Sequence, residues 1–134
     1  MFYPMFAMVL LTFIVSLYLV YVRIQAVRRR QLPVSYFRLN SGTAEVPVQA
    51  ATAARHYSNL FEVPLLFYVT CLVAIQMGLQ GPTMVTLAWI FVISRIVHAL
   101  IHLSYNKVLH RMLAFATGVF CVLIMWVLMA ITLV

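Results

Sequence analysis

The sequence predicts an all-α integral membrane protein, a bundle of four transmembrane helices in a single domain over residues 1–134. Three observations predict this fold class. The chain is 66% hydrophobic and only 8% charged, whereas an ordinary globular chain is about a quarter charged. Four of its segments reach the roughly 20 apolar residues that a membrane-spanning helix needs. The Lys and Arg residues are also distributed unevenly among the connections between those segments.

Prolines and glycines bound the four predicted helices. Pro4 opens the first helix, at a position where a missing N–H costs nothing. The second helix is expected to start soon after Pro47 and to kink slightly at Pro64, and Gly81-Pro82 predicts a tight turn into the third. The predicted helices cover residues 4–24, 48–79, 83–105 and 109–133.

The charge distribution predicts how the chain is oriented in the membrane. If the N-terminus faces outside, all nine Lys and Arg residues fall on the inner side, and the outer connection at residues 80–82 carries none. Cytoplasmic loops of membrane proteins carry this excess, so both termini are expected on the non-cytoplasmic side. The net charge of +7 has this topological cause and does not indicate nucleic-acid binding. A bacterial inner membrane is favoured.

A first group of polar residues lies at the start of the second apolar segment. Arg55, Asn59 and Glu62 occupy positions i, i+4 and i+7, which span only about 40° of a helix surface. One interpretation is a helix-end salt bridge at the membrane rim. The other is a binding site for a zwitterion, with Arg for a carboxylate, Asn for an amide and Glu for an ammonium group.

A second group lies on the third predicted helix, where Arg95, His98 and His102 share one stripe at i, i+3 and i+7. A charge inside a membrane segment needs a partner or a purpose, and Glu62 is the expected counter-ion of Arg95. The two histidines suggest metal ligands, with His110 or Glu62 as a third. No further Cys, His or Asp supports a metal site, so none is predicted.

A third group opens the last helix. Arg111, Phe115 and Gly118 lie at i, i+4 and i+7, and Gly118 permits close approach of a neighbouring helix. Taken together, the three groups place one acid among several cations in one half of the bundle. This imbalance predicts a pocket for a ligand that carries carboxylates.

The motifs resemble those of the membrane-associated proteins in eicosanoid and glutathione metabolism (MAPEG), a family that includes microsomal glutathione transferases and leukotriene C4 synthase. The first motif is Arg55-x-x-x-Asn59-x-x-Glu62, followed closely by Pro64. The second is Arg95-x-x-His98, followed by Arg111, Phe115 and Gly118, and it is similar to the microsomal transferase branch. The resemblance implies a homotrimer that binds glutathione between protomers in the cytoplasmic half of the membrane.

The resemblance also implies roles for individual residues. Arg111 would stabilise the glutathione thiolate, because a nearby guanidinium favours the charged form of a thiol. The thiolate would then attack an apolar electrophile or a lipid hydroperoxide, with glutathione as cosubstrate. The family often has tyrosine where this chain has His102, and Tyr105 is a candidate substitute. The implied glutathione-binding residues are Arg55, Asn59, Glu62, Arg95, His98, His102 and Tyr105.

Two other classes of protein remain as alternatives to a glutathione transferase or peroxidase. A small multidrug-type transporter has a similar length and four helices, but it needs a membrane-embedded acid for cation exchange, and Glu62 is surrounded by arginines. A non-catalytic module that binds membrane lipids or a partner protein is the other alternative. Its candidate lipid contact is the basic run at residues 28–30.

Overall fold

The structure, a computed structural model, describes residues 1–39 and 45–132. The described residues form helices and connections and contain no strand, in agreement with the predicted all-α class. The helices are α1 (Phe2–Arg28), α2 (Tyr36–Leu39), α3 (Val48–Asn59), α4 (Val63–Gln76), α5 (Pro82–Leu103) and α6 (Val108–Thr132).

In the part of the chain that the structure describes, four helical segments are long and apolar enough to cross a bilayer. They are Phe2–Arg28, Val48–Gln76, Pro82–Leu103 and Val108–Thr132, and they overlap the four predicted spans. Large apolar side chains cover much of the outer surface, among them Phe13, Leu72 and Phe120. Such a surface suits hydrocarbon rather than water. The prediction of a four-helix integral membrane bundle is confirmed.

The second span is interrupted, whereas the sequence predicts one helix over residues 48–79. Helix α3 ends at Asn59 with i→i+3 bonds from the N–H groups of Leu60 and Phe61, and α4 begins at Val63 with Pro64 in its first turn. Proline has no N–H, and its ring clashes with the carbonyl four residues earlier. Pro64 therefore favours a new helix start over the slight kink that was predicted.

Because of this interruption, Arg55, Asn59 and Glu62 do not lie on one continuous helical stripe. Arg55 and Asn59 belong to α3. Glu62 occupies the N-cap position of α4, and its backbone angles, φ −93° and ψ −95°, are not helical. The 40° stripe expected from an unbroken helix is therefore wrong. Any joint role of the three residues depends on how the two helices meet.

Helix α5 lies at the centre of the packing. It contacts α6 along its length and also contacts α1 and α3, while α4 packs against α1 and α6. We call the largest buried set of aromatic, methionine and cysteine side chains the apolar core. It is centred on Met8, Phe67, Cys71, Phe91, Met125 and Met129.

Two connections determine how the last three spans follow one another. Gly78 has φ +69° and the Leu79 N–H donates to the Ala74 carbonyl, which closes the end of α4 in the way that glycine favours. Gly81 and Pro82 then begin α5, as the turn signal predicts. Residues 104–107 join α5 to α6, and this short return brings the start of α6 beside the end of α5.

Candidate functional site

Three helices bring five polar side chains together inside the bundle. Helix α3 supplies His56, α5 supplies Arg95, His98 and His102, and α6 supplies Arg111; we call this set the histidine–arginine cluster. The relative exposure of His56 is 1%, of Arg95 2%, and of His98 and His102 3% each, while Arg111 is partly buried. The cluster therefore lies inside the helix bundle and not on its outer face.

The three histidine rings are neighbours. The His56 ring centroid lies 5.6 Å from that of His98 and 5.2 Å from that of His102, and the His98 and His102 centroids are 5.7 Å apart. One nitrogen from each ring lies within 4.8 Å of the others. The third histidine is thus His56, whereas the sequence suggested His110 or Glu62.

Arg95 is held by backbone oxygens and aromatic rings. Its Nη2 donates to the Phe115 carbonyl at 2.8 Å and to the Ala114 carbonyl at 3.5 Å. The guanidinium carbon lies 5.4 Å from the ring centroid of Phe91 and 4.9 Å from that of Phe115. The predicted ion pair with Glu62 is not formed, because Glu62 is exposed and Arg95 is buried against α6.

Gly118 makes room for this guanidinium. A Cβ at position 118 would lie 2.6 Å from Arg95 Nη2 and 2.9 Å from the Ser94 hydroxyl oxygen, closer than van der Waals contact allows. The close approach of α5 and α6 predicted at Gly118 is therefore present. The space left by the missing side chain of Gly118 is occupied by the guanidinium of Arg95.

Arg111 is positioned by the end of α5 and the following turn. Its Nη1 donates to His102 Nδ1 at 3.0 Å and to Asn106 Oδ1 at 2.9 Å. Asn106 has φ +50°, a left-handed conformation that asparagine tolerates, and its N–H donates to the Ile101 carbonyl. The Arg111 carbonyl also lies 3.1 Å from His98 Nδ1. Arg111 is therefore tied to α5 through both its side chain and its backbone.

An open cavity of about 600 Å³ lies between α1, α2 and α3, and its lining residue Arg55 directly precedes His56 of the cluster in the sequence. Arg23 and Arg55 both line it, and within the described ranges 1–39 and 45–132 no acidic side chain does. The Arg23 guanidinium carbon lies 5.4 Å from the Phe37 ring centroid. The remaining lining residues are Leu19, Tyr36, Phe37, Val46, Ala50, Ala51, Ala54, Tyr57 and Ser58.

The sequence-predicted site residues thus fall into two groups. Arg95, His98, His102 and Arg111 meet in the buried cluster, as their shared stripe indicates. The others lie nearer the surface: Arg55 is exposed at the cavity, Asn59 is partly buried, Glu62 is exposed, and the Tyr105 hydroxyl lies 3.0 Å from His110 Nδ1. Arg55 and Arg111 are both within electrostatic range of His102, so Arg55 is the member of the second group that adjoins the cluster.

Sequence reasoning missed three residues of this region. His56 follows Arg55 directly, and a rotation of about 100° per residue turns it to the buried side of α3 while Arg55 faces out. Arg23 was assigned to topology alone, yet it lines the cavity. Asn106 carried no motif, although asparagine near a helix end is a known signal for a left-handed cap.

The family model for the MAPEG family matches residues 1–131. The chain belongs to the MAPEG family. The resemblance drawn from the arginine motifs is confirmed at the level of the family, and the match does not specify a branch. Members of the MAPEG family include membrane glutathione transferases and related enzymes of eicosanoid metabolism. No curated protein and no solved structure matches the chain significantly.

Membership of the MAPEG family also bears on the competing classes of protein. A MAPEG chain is a four-helix membrane bundle, so the length and helix count that suggested a small multidrug-type transporter have a better explanation. Glu62 lies exposed at the interruption between α3 and α4, and not deep in the bundle where a transporter would need its acid. We therefore interpret the site as that of a MAPEG protein and not as that of a transporter.

Proposed function

We propose that this MAPEG protein is a glutathione-dependent transferase or peroxidase of the microsomal type, active as a homotrimer. Its substrates are apolar electrophiles or lipid hydroperoxides dissolved in the bilayer, with glutathione as cosubstrate. The observation that carries the proposal is the cavity lined by Arg23 and Arg55, with Arg55 within electrostatic range of His102, the histidine to which Arg111 donates.

The cavity has the size and charge for a small acidic peptide. Its volume of about 600 Å³ lies within the range of about 300–1,000 Å³ that is usual for small-molecule sites. Two guanidinium groups can each pair with a carboxylate, and glutathione has two carboxylates. The hydroxyl groups of Tyr36, Tyr57 and Ser58 line the same cavity and supply further hydrogen bonds.

Arg111 is the residue that activates the thiol in this proposal. Within the described part of the chain, its Nη1 makes both hydrogen bonds of the side chain, to His102 and Asn106. The opposite edge of the guanidinium is left for the sulfur of glutathione. A cation held in place stabilises a thiolate without having to reorganise, and the thiolate is the nucleophile.

The buried residues take a supporting role. Arg95, His98 and His102 are too buried to touch a ligand outside the protomer, so we assign them to positioning Arg111 and not to direct contact with glutathione. Direct contact is assigned to Arg55, Asn59, Glu62 and Tyr105. Asn59 and Glu62 do not line the cavity, and a neighbouring protomer of the trimer would bring a second surface against them.

The apolar outer surface suits the second substrate. Exposed side chains such as Leu65, Leu100 and Leu113 would meet lipid or the neighbouring protomers, and an apolar electrophile can reach the thiolate from the same side. The proposal keeps the orientation predicted from the charges, with the arginine-rich end cytoplasmic and both termini outside, in a bacterial inner membrane.

Glutathione binding by the purified protein in lipid nanodiscs tests the function. Titration calorimetry should detect binding to the unmodified protein, and Arg55→Ala should weaken it by about 10- to 100-fold, since a hydrogen bond to a charged group contributes about 1.5–3 kcal/mol. The matched control is Arg28→Ala, which removes an exposed arginine at the end of α1 that does not line this cavity.

The two variants separate a specific site from a general attraction between the basic protein and an anion. Equal weakening by Arg28→Ala and Arg55→Ala would indicate only a charge effect. No detectable binding of glutathione to the unmodified protein would contradict the proposed function outright and favour the non-catalytic module.

A further inference from the structure

Four nitrogens of the three buried histidines make no well-formed hydrogen bond with the described residues, although the backbone of Thr52 lies close to His102. They are Nδ1 and Nε2 of His56, Nε2 of His98 and Nε2 of His102. Buried polar side-chain atoms are nearly always hydrogen-bonded, and each exception needs an explanation. Because these nitrogens belong to three adjoining rings, one shared partner can explain them all.

We propose that His56, His98 and His102 bind one transition-metal ion of the zinc class in each protomer. Neutral imidazole nitrogen is a preferred ligand of Zn²⁺, and three histidines with one open position form a recognised coordination set. The three rings come from two helices that pack together, α3 and α5. The proposal does not rest on glutathione binding.

The spacing of the rings is compatible with coordination after a small rearrangement. One nitrogen from each ring lies within 4.8 Å of the others, whereas tetrahedral ligands at 2.0–2.1 Å from zinc are about 3.4 Å apart. The nitrogens must therefore move together by up to about 1.4 Å. The proposal requires rotation of the side chains to supply this movement, with little movement of the helices.

His98 has the hydrogen bond that orients metal-binding histidines. Its Nδ1 lies 3.1 Å from the Arg111 carbonyl oxygen, and a carbonyl can only accept, so Nδ1 carries the proton. Nε2 then has a free lone pair, and this atom is buried without a partner. Histidines that bind metals usually donate their other N–H to a carbonyl or carboxylate in this way.

His102 has the opposite arrangement, which gives the proposal a measurable consequence. Arg111 donates to Nδ1 at 3.0 Å, so the proton of this ring lies on Nε2. When Nε2 binds the metal, the N–H bond breaks, a metal–nitrogen bond forms and the proton leaves to solvent. The resulting imidazolate accepts a stronger hydrogen bond from the Arg111 guanidinium.

The charged side chains around the site determine which fourth ligand the metal ion would bind. Arg95 and Arg111 adjoin the rings and Arg55 lies near His102, while Glu45 and Glu62 are both exposed. This positive surrounding opposes a divalent cation. The His102 imidazolate offsets one charge, and an anion at the fourth position, such as hydroxide formed from water, offsets the second.

Cobalt provides the direct test, because tetrahedral Co²⁺ absorbs visible light much more strongly than octahedral Co²⁺. Protein purified without a polyhistidine tag and stripped with chelator should bind about one Co²⁺ per protomer with a tetrahedral spectrum, and Zn²⁺ should displace it. His56→Ala should weaken binding by at least about 100-fold, since even the loss of a residue that only supports a ligand costs 10–100-fold.

The control variant is His110→Ala, since His110 is exposed, is hydrogen-bonded to Tyr105 and is not one of the three proposed ligands. It should bind Co²⁺ as the unmodified protein does. A Co²⁺ spectrum that is only octahedral, or an equal loss of affinity in both variants, would overturn the proposal, and the first result needs no variant that might fold poorly.

Two further measurements sharpen the assignment. Zn²⁺ binding in weak buffer should release at least one proton per protomer, and binding without proton release would overturn the coordination through His102. Arg55→Ala should weaken glutathione binding by about 10- to 100-fold and keep the metal. A protein that binds glutathione but fails to bind Co²⁺ would overturn this inference and leave the proposed function standing.

Discussion

In the apolar core, the rings of Phe67 and Phe91 stack with centroids 4.1 Å apart and planes within 8° of parallel. One turn along α5, Arg95 meets the carbonyl oxygens of Ala114 and Phe115. The first contact depends on shape and tolerates many apolar side chains. The second depends on particular atoms at particular distances, and several nitrogens of the neighbouring histidines have no hydrogen-bond partner among the described residues.

The difference teaches where stability and function reside in this bundle. Lipid is as apolar as the core, so helices associate through close packing and not through exclusion of water. The apolar core provides that packing. The histidine–arginine cluster contains four buried polar side chains, and burying each of them costs free energy. A role in binding or catalysis therefore explains the cluster better than a contribution to stability does.

The largest effect should come from the apolar core. Phe91 is 0% exposed, and Phe91→Ala should lower the free energy of unfolding by about 3 kcal/mol. This value is at the lower end for a buried Phe→Ala change, because in micelles the side chain of the unfolded protein stays in an apolar environment. Unfolding in mixed detergent micelles measures this value. Phe120→Ala removes a ring that is 60% exposed and should change it by less than about 0.5 kcal/mol.

If Phe120→Ala proved as costly as Phe91→Ala, the surface that carries Phe120 would be packed against protein and not lipid. That result would break the distinction drawn here between core and surface. It would also point to a neighbouring protomer at this face of α6.

The next effect concerns the cluster. Gly118→Ala places a methyl group 2.6 Å from Arg95 Nη2, and overpacking of this kind costs about 1–3 kcal/mol. Gly81→Ala is the matched control, since nothing lies within 4 Å of its added Cβ and its φ of −63° suits alanine. Unfolding in the same micelles measures both variants.

This pair shows whether the cluster is rigid. A flexible arginine could swing away from the new methyl group, in which case Gly118→Ala would cost no more than Gly81→Ala. Such a result would contradict the view that carbonyl oxygens and aromatic rings fix Arg95 in place.

Much of the bundle was accessible from the sequence for physical reasons. A bilayer imposes a length on each span, so hydropathy alone located four helices. Helical periodicity placed Arg95, His98 and His102 on one stripe, and all three are buried together. The size of the interruption before Pro64 was misjudged, because the sequence does not show how much of a helix must unwind around a proline.

The contacts of the site were harder to predict from the sequence, because they involve groups that no motif marks. An acid was the expected partner of Arg95, but backbone carbonyl oxygens occur at every residue and no motif marks Ala114 or Phe115. His56 joined the other histidines only because α3 packs against α5. Contacts between distant helices of this kind cannot be inferred from spacing along one helix.

The smallest effect should come from Asn106, which supports the cluster from its rim. Asn106→Ala forces alanine into φ +50° and should cost about 1 kcal/mol of stability. It also removes the oxygen that accepts from Arg111 at 2.9 Å. Because His102 still holds Arg111, thiolate formation on bound glutathione should fall only about two- to tenfold, the worth of one hydrogen bond.

Asn106→Gly separates these two consequences. Glycine adopts a positive φ without strain, so this variant should keep nearly all of the stability while losing the same hydrogen bond. Ultraviolet absorbance of the glutathione thiolate should therefore fall equally in both variants, although only Asn106→Ala unfolds more easily. If Asn106→Gly retained the full thiolate signal, Asn106 would act through the backbone turn alone, and the positioning of Arg111 would rest on His102.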